Sequence, residues 1–496
     1  MKILLEMRAA LDGHAGIPQA ARLLFRSFRT LPGVEVEGLL QSNGKVLARG
    51  LPVSDRGWSE DRRINRMSRV VVSLQQGNEH HWVVQRPLTA LRALRASLGM
   101  LCQSLLGMRQ TLTRFESAYF RDFVWRSLFA RTLPHEDFDL VIGANHRIAR
   151  VPWAATHAMA LAMRRLGGAR YPRLDTRGFD VMIAETPYPG RVSPSTRLVV
   201  RYHDAIPMLM PHTISDKAYH QASHYHALRR NVRDGAWFAC VSDATRNELL
   251  LIFPEVAARA VTIHNMISHD YFPEESTPAR IPEILRIRRN HAKALAGLGG
   301  SDGVSELRRT AGGMDYLLMV STIEPRKNHL TLLAAWEQLR TERYPNLQLL
   351  FVGSLGWDHK AIIEKFRPWI GRGGLHVLED VPSAELRLLY RHARATVCPS
   401  YGEGFDFSGV EAMRCGGVVA ASDIAVHHDI FGTAAEYFSP YDATGMAEAI
   451  GRLIAPDAGP RRDELREVGQ RVCERYLAEA VLPQWQRLLA TVCAAD

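Results

Sequence analysis

Short apolar runs alternate with segments of helical period along most of the chain. Residues 2–7 (KILLEM), 34–40 (VEVEGLL), 139–145 (DLVIGAN), 180–186 (DVMIAET), 197–204 (RLVVRYHD), 237–242 (WFACVS) and 261–265 (VTIHN) read as strands. A second series follows at 316–322 (YLLMVST), 347–354 (LQLLFVGS), 375–380 (LHVLED), 395–400 (ATVCPS) and 417–423 (GVVAASD). Helical segments such as 329–342 and 384–393 separate them. Strands that alternate with helices predict parallel sheets covered on both faces, so the fold class is α/β. The stretch 273–313, rich in charge, Gly and Pro, separates the two series as a linker or insertion. It leaves an N-terminal domain over 1–272 and a C-terminal domain over 314–470. Residues 471–496 read as a helix that packs back on the N-terminal domain. An Arg-rich insertion at about 43–135 shows no β/α rhythm.

The length of 496 residues agrees with two domains of roughly 200 residues each. Lys and Arg exceed Asp and Glu by 62 to 52, which gives +10 and favours an anionic partner. The six cysteines are scattered, with no C-x-x-C pair, which suggests neither a zinc site nor a disulfide framework. Glu6 and Arg8 interrupt the apolar start, so it reads as a first strand and not as a signal peptide. The uncharged run 96–108 is too short to cross a membrane, and a cytoplasmic protein is expected. The apolar run 87–108, set among Arg86, Arg92, Arg95, Arg109 and Arg114, is either a cover for the N-terminal sheet or a basic amphipathic helix on an anionic membrane surface. No aromatic-basic reading motif points to nucleic acid.

In open parallel sheets ligands bind beyond the carboxyl ends of the strands, so motifs there carry most weight. Residues 324–328 (EPRKN) follow one strand and precede a helix. Arg326 and Lys327, beside backbone N–H groups, suit a diphosphate, although such a pair is also what a solvated basic turn looks like. Glu403 follows another strand, between Gly402 and Gly404, and Glu411 is expected in the first turn of the next helix. Taken singly, Glu403 is a loop acid and Glu411 a capping acid. Taken together, cations for a diphosphate and carboxylates for hydroxyls match the needs of a nucleotide sugar. Asp137 and Asp139 form a D-x-D by letter, but they precede a predicted strand and read as a turn and not as a metal site.

The pattern of strand, E-P-R-K-N, strand with V-G, then 399–416 (PSYGEGFDFSGVEAMRCG), continued at 422–442, resembles the retaining glycosyltransferases of the GT-B fold, the group called family 4. Residues 201–211 (RYHDAIPMLMP) and 241–250 resemble the family more weakly. The resemblance implies two Rossmann-like domains facing across a cleft, the first binding acceptor and the second binding a nucleotide sugar. It implies that Arg326 and Lys327 bind the diphosphate and offset charge on the leaving group, that Glu411 holds the ribose hydroxyls, and that Glu403 contacts the transferred sugar. Asp406, Phe407 and Ser408, at a helix N-terminus, face sugar and phosphate. His203 reaches the donor from the other domain, and Gly16 lies where the donor phosphate approaches. The sequence departs from the family where His14 and Ala15 precede Gly16, and where Asp406–Phe407–Ser408 replaces small or apolar residues.

The reaction so implied is transfer of a hexose with its α configuration kept, without a protein nucleophile and without a metal. Mannose from GDP-mannose is the leading donor, and a saccharide or lipid-linked saccharide of bacterial surface polysaccharide, lipopolysaccharide or O antigen the acceptor. Peripheral association with the inner membrane face is part of that expectation. The rival readings are a nucleotide-sugar 2-epimerase on the same scaffold and a non-catalytic nucleotide-sugar-binding protein.

Overall fold

The computed structural model describes residues 1–11, 13, 16–75, 91, 95, 98–100, 102, 106–164, 168–289 and 314–495. His14, Ala15 and most of the apolar run 87–108 lie outside the described residues.

Among the described residues the N-terminal domain has ten strands: β1 Lys2–Glu6, β2 Glu35–Leu40, β3 Arg109–Thr111, β4 Thr113–Phe115, β5 His146–Ile148, β6 Arg173–Asp175, β7 Val181–Ala184, β8 Arg197–Tyr202, β9 Trp237–Cys240 and β10 Ala260–Thr262. Eight form one sheet in the order β10-β9-β8-β7-β1-β2-β5-β4, and β3 pairs with β6 separately. All neighbours in the large sheet are parallel except β4 and β5, so the sheet ends in one antiparallel edge strand. The C-terminal sheet comprises β11 Tyr316–Val320, β12 Gln348–Val352, β13 Leu375–Leu378, β14 Ala395–Cys398, β15 Val419–Ser422 and β16 Ala435–Phe438, in the order β13-β12-β11-β14-β15-β16. This order, the third, second and first strands and then the fourth to sixth, is that of a dinucleotide-type Rossmann sheet. Continuously apolar runs such as LLFV in β12 are buried along their length, as strands covered on both faces must be. The two Rossmann-like halves make the GT-B architecture that the sequence implies.

Each sheet reverses its winding at one crevice. In the C-terminal sheet that crevice lies between β11 and β14, so the loops carrying Arg326–Lys327 and Glu403 emerge side by side. In the N-terminal sheet it lies between β1 and β7, and His203 follows β8 next to it.

The last helix, Ala478–Ala494, inserts Val481, Trp485, Leu488 and Val492 into the core that holds Phe25 and Phe28 of the helix Ile17–Phe28. The Trp485 ring meets Phe28 edge-on at 5.5 Å. Just before it, Tyr476 O accepts from Ile267 N (2.9 Å) and Tyr476 Oη donates to Ile430 O (2.7 Å), which ties the return of the chain to both domains.

Three readings of the sequence need correction. Residues 139–145 are not a strand. Phe138–Ile142 is a helix, and β5 follows it. A run of three apolar residues is too short for periodicity to decide between the two. The linker 273–313 is not merely a linker, because the helix Ile281–Arg289 buries Ile281, Ile284 and Leu285 in the C-terminal core with Tyr316 and Leu318. Arg288 forks onto Glu385 at 2.6 Å through both nitrogens. The segment 43–135 supplies the edge strand β4 and the helix Glu60–Gln75.

Candidate active site

The turn after β11 begins at Glu324 and runs through Pro325–Lys327 to Asn328, whose φ of 63° lies in the left-handed region. Asn tolerates that region better than most residues, and here its side chain also holds the turn. Asn328 Nδ2 donates to Pro399 O (2.9 Å) and Pro440 O (2.8 Å), fastening the ends of β11, β14 and β16 together. Arg326 and Lys327 are thereby fixed at the crevice. Arg326 Nη1 donates to Glu403 Oε2 (2.8 Å) and Gly402 O (2.6 Å), and Nη2 to Glu324 Oε1 (2.9 Å). Lys327 Nζ donates to Glu403 Oε1 (2.5 Å). Burial works against ionisation of Glu403, yet Arg326 and Lys327 hold its carboxyl below the usual range. Glu324 goes the other way, because burial outweighs its attraction to Arg326.

Gly404 lies where the two domains touch. A Cβ there would stand 1.5 Å from His203 O, so only glycine permits this approach. His203 itself is nearly buried, with Nε2 3.2 Å from Glu185 Oε2. Burial lowers its pKa and Glu185 partly restores it. Arg201 Nη1 reaches both Glu185 oxygens (3.2 and 3.3 Å) and Arg201 Nη2 donates to Asn265 Oδ1 (2.6 Å). Glu185 N in turn donates to Glu6 Oε2 (2.9 Å), and Arg8 Nε donates to Glu6 Oε1 (2.8 Å). Thus β1, β7 and β8 are cross-linked by charge at their carboxyl ends.

The helix Phe407–Arg414 is capped by Asp406, whose Oδ1 accepts from Gly409 N (3.2 Å) and Ser408 Oγ (2.6 Å). Its Oδ2 lies 3.3 Å from His427 Nε2. Burial opposes ionisation of Asp406, but His427, Lys327 and Ser408 hold its carboxyl far below the ordinary range. Because Asp406 occupies the cap, Glu411 stands in the second turn and not in the first, and its role is not capping. It is buried. Its Oε1 accepts from Gln19 Nε2 (2.8 Å) and its Oε2 from Tyr390 Oη (3.1 Å). Burial pushes its pKa up to about 7, against the pull of those two donors. Gln19 comes from the other domain, one turn into the helix that Gly16 opens at φ 71°. Phe407 is half-buried, with its ring 5.0 Å from that of Phe405.

Arg326, Lys327 and Glu403 are therefore in direct contact. Asp406 and Glu411 follow on the next helix, and His203 and the Gly16 helix face them from the other domain. The D-x-D acids take no part: Asp137 accepts from Arg26 Nε (2.9 Å) and Asp139 from Arg121 Nη2 (2.5 Å). Glu185, Arg201, Gln19 and Tyr390 were not singled out from the sequence. Only Arg201 left a trace there, as a charge inside an apolar strand.

Residues 315–456 match the family described as Glycosyl transferases group 1. Over 266 residues the chain is 27% identical to O-antigen chain mannosyltransferase B of Escherichia coli, covering 53% of this chain and 62% of the relative. It is 30% identical over 224 residues to the serotype-specific mannosyltransferase WbdA of the same species, covering 42% of this chain and 27% of that one. The chain thus spans less than two thirds of the length of these relatives. Among solved structures, sucrose-phosphate synthase from Thermosynechococcus elongatus superposes over 100% of both chains with a TM-score of 0.56 and 15% identity. Anabaena Alr3699/HepE in complex with UDP-glucose superposes over 99% of this chain and 100% of its own, with a TM-score of 0.55 and 12% identity. Those two likenesses show the fold. The match to the group 1 glycosyl transferases thus falls on the C-terminal domain, whose crevice holds Arg326, Lys327, Glu403 and Glu411.

Proposed function

We propose that the protein is a retaining, metal-independent hexosyltransferase that uses a nucleotide sugar, GDP-mannose first, and a saccharide or lipid-linked saccharide acceptor in surface polysaccharide assembly. The observation that carries this reading is the contact of Arg326 and Lys327 with Glu403 at the β11/β14 crevice of a group 1 domain. Mannose is favoured because the relatives above bear the name mannosyltransferase.

In this reading the diphosphate of the donor takes over the two cations, and Glu403 turns to hydroxyls of the sugar. Arg326 and Lys327 then face the charge that grows on the departing phosphate. Fixed donors of this kind act where charge develops, and losing one typically costs about 3 kcal/mol. They also supply the positive charge for which a metal would otherwise be required. Glu411 accepts the ribose hydroxyls in place of the Gln19 amide. His203, held by Glu185 of its own domain, faces the donor across the cleft, and the acceptor approaches from the N-terminal side.

A thermal-shift screen against GDP-, UDP-, ADP- and dTDP-sugars tests the donor, since a bound ligand stabilises the fold. GDP-mannose should raise Tm most, and transfer to an acceptor should give an α-glycoside by NMR. An epimerised sugar nucleotide formed without acceptor would replace the reading with the 2-epimerase, and no shift with any donor would overturn it.

A further inference from the structure

Five arginines crowd one face of the N-terminal domain, away from Arg326 and Lys327. Arg62, Arg66 and Arg69 share one face of the helix Glu60–Gln75, at spacings of four and three residues. The loop after β2 runs against that helix, because Ala48 N donates to Ser73 Oγ (3.1 Å) and Arg66 Nε to Gly50 O (3.3 Å). The same loop is stitched to the end of β5, where Leu47 N donates to Arg150 O (3.0 Å) and Arg150 Nε to Leu47 O (3.2 Å). Arg49 therefore stands between the helical arginines and Arg150.

None of the five has a carboxylate partner among the described residues. Of the acids near them, Asp55 pairs with Arg114 (2.9 Å) and Glu116 with Arg63 (2.8 Å), while Glu60 and Asp61 lie in the first turn of the helix. Burial and the guanidiniums of Arg69, Arg49 and Arg62 all push Arg66 downward, and burial, Arg49 and Arg66 do the same to Arg150. Arg62 stacks on the Trp58 ring at 4.0 Å, which aims its fork instead of leaving it to wander. Like charges gathered in this way repel one another unless an anion sits among them, and guanidinium forks match the geometry of phosphate oxygens.

The position has meaning as well. The loop after β2 and the end of β5 belong to the carboxyl-end rim of the sheet, where ligands bind. The same loop and the last residues of the same helix line a cleft of about 690 Å³, bounded by Leu11, Ser42, Asn43, Lys45, Gln75 and Arg126.

We propose that Arg49, Arg62, Arg66, Arg69 and Arg150 form a second phosphoryl-binding subsite, which takes the phosphate ester or diphosphate of the acceptor while its sugar end lies in the adjoining cleft. The subsite rests on the arginine geometry. Its assignment to the acceptor rests on the transferase reading above. The acceptor would then carry an anionic group, as a saccharide joined to a carrier through phosphate does and a neutral oligosaccharide does not.

Equilibrium dialysis with labelled inorganic diphosphate, at low salt and on the full chain, tests the subsite. The wild type should show two sites. Lys327→Ala should remove one. Arg49→Gln with Arg69→Gln, both exposed side chains, should weaken the other at least tenfold and leave GDP binding unchanged. A wild type with only the arginine-dependent site, unaltered by Lys327→Ala, would count against the donor reading and leave the arginine subsite standing. Two unaltered sites in the arginine variant would overturn the proposal. A flotation assay distinguishes the source of phosphate. Binding to phosphatidylglycerol but not phosphatidylcholine vesicles through these arginines, with no second diphosphate site, would assign the patch to a membrane surface and overturn the acceptor subsite. In the transfer reaction, the same variant should raise KM at least tenfold for a saccharide diphosphate and leave the donor KM in place. An unchanged acceptor KM would contradict the proposal.

Discussion

The two crevices of this molecule hold charge in different ways. At β11/β14 the cations remain reachable: the side chains of Arg326 and Lys327 are 12% and 18% exposed, and their partner Glu403 comes from a loop. At β1/β7 the Arg201–Glu185 pair is 1% and 0% exposed, and it is cross-linked to Glu6, Asn265 and His203 from neighbouring strands. The first arrangement can exchange Glu403 for an incoming anion without unfolding anything. The second cannot lose a member without stranding a buried charge, so it acts as a frame that fixes His203. One fold thus holds the same kinds of ion pair in a reachable crevice and in a closed frame.

This contrast breaks most severely if the frame is cut. Arg201→Met leaves Glu185 buried without its main partner and should cost roughly 3–5 kcal/mol of stability, read as a lower urea midpoint. A smaller loss than that from Glu403→Gln would reverse the assignment of frame and site. Lys327→Ala should leave the urea midpoint within about 1 kcal/mol of wild type and raise the transfer barrier by about 3 kcal/mol, a drop in kcat of more than a hundredfold.

Glu411 sharpens the comparison through pH. Its folded pKa of about 7 lies above the ordinary carboxyl value of 4.5, so the folded state binds more protons between those limits. Stability from this group is present below pH 4.5 and lost as pH rises through 7. Glu411→Gln should therefore stabilise the ligand-free protein at pH 8, by up to about 3 kcal/mol, while abolishing nucleotide binding. Wild-type nucleotide affinity should fall as pH drops below 7, and a flat profile from pH 5 to 8 would count against a ribose-holding Glu411. The smallest effect belongs to Gln19, which occupies Glu411 in the ligand-free protein. Gln19→Ala should tighten nucleotide binding several-fold, about 1 kcal/mol, by removing an internal competitor. Weaker binding would show that Gln19 contacts the donor instead.

These features were unequally visible in the sequence. The strand-end motifs at 324–328 and 403–411 were legible because a turn and a short loop hold their residues locally. Glu411 stands one turn deeper in its helix than the sequence suggests, because Asp406 is itself the cap and the first turn begins at Phe407. The helix Phe138–Ile142 looked like a strand because its apolar run is too brief to show a period. The Glu6–Glu185–Arg201–His203 frame was not legible at all. Its members are far apart along the chain and meet only because β1, β7 and β8 are neighbours in the sheet. The same holds for Gln19 and Glu411, which are separated by 392 positions.

The central claim is that Arg326, Lys327, Glu403 and Glu411 receive one nucleotide sugar. Calorimetric titration of GDP-mannose into wild-type protein and Lys327→Ala, both shown to be folded, tests it most directly. The account predicts a single site in the wild type and at least a hundredfold weaker binding in the variant. Equal affinity in the two proteins would contradict it.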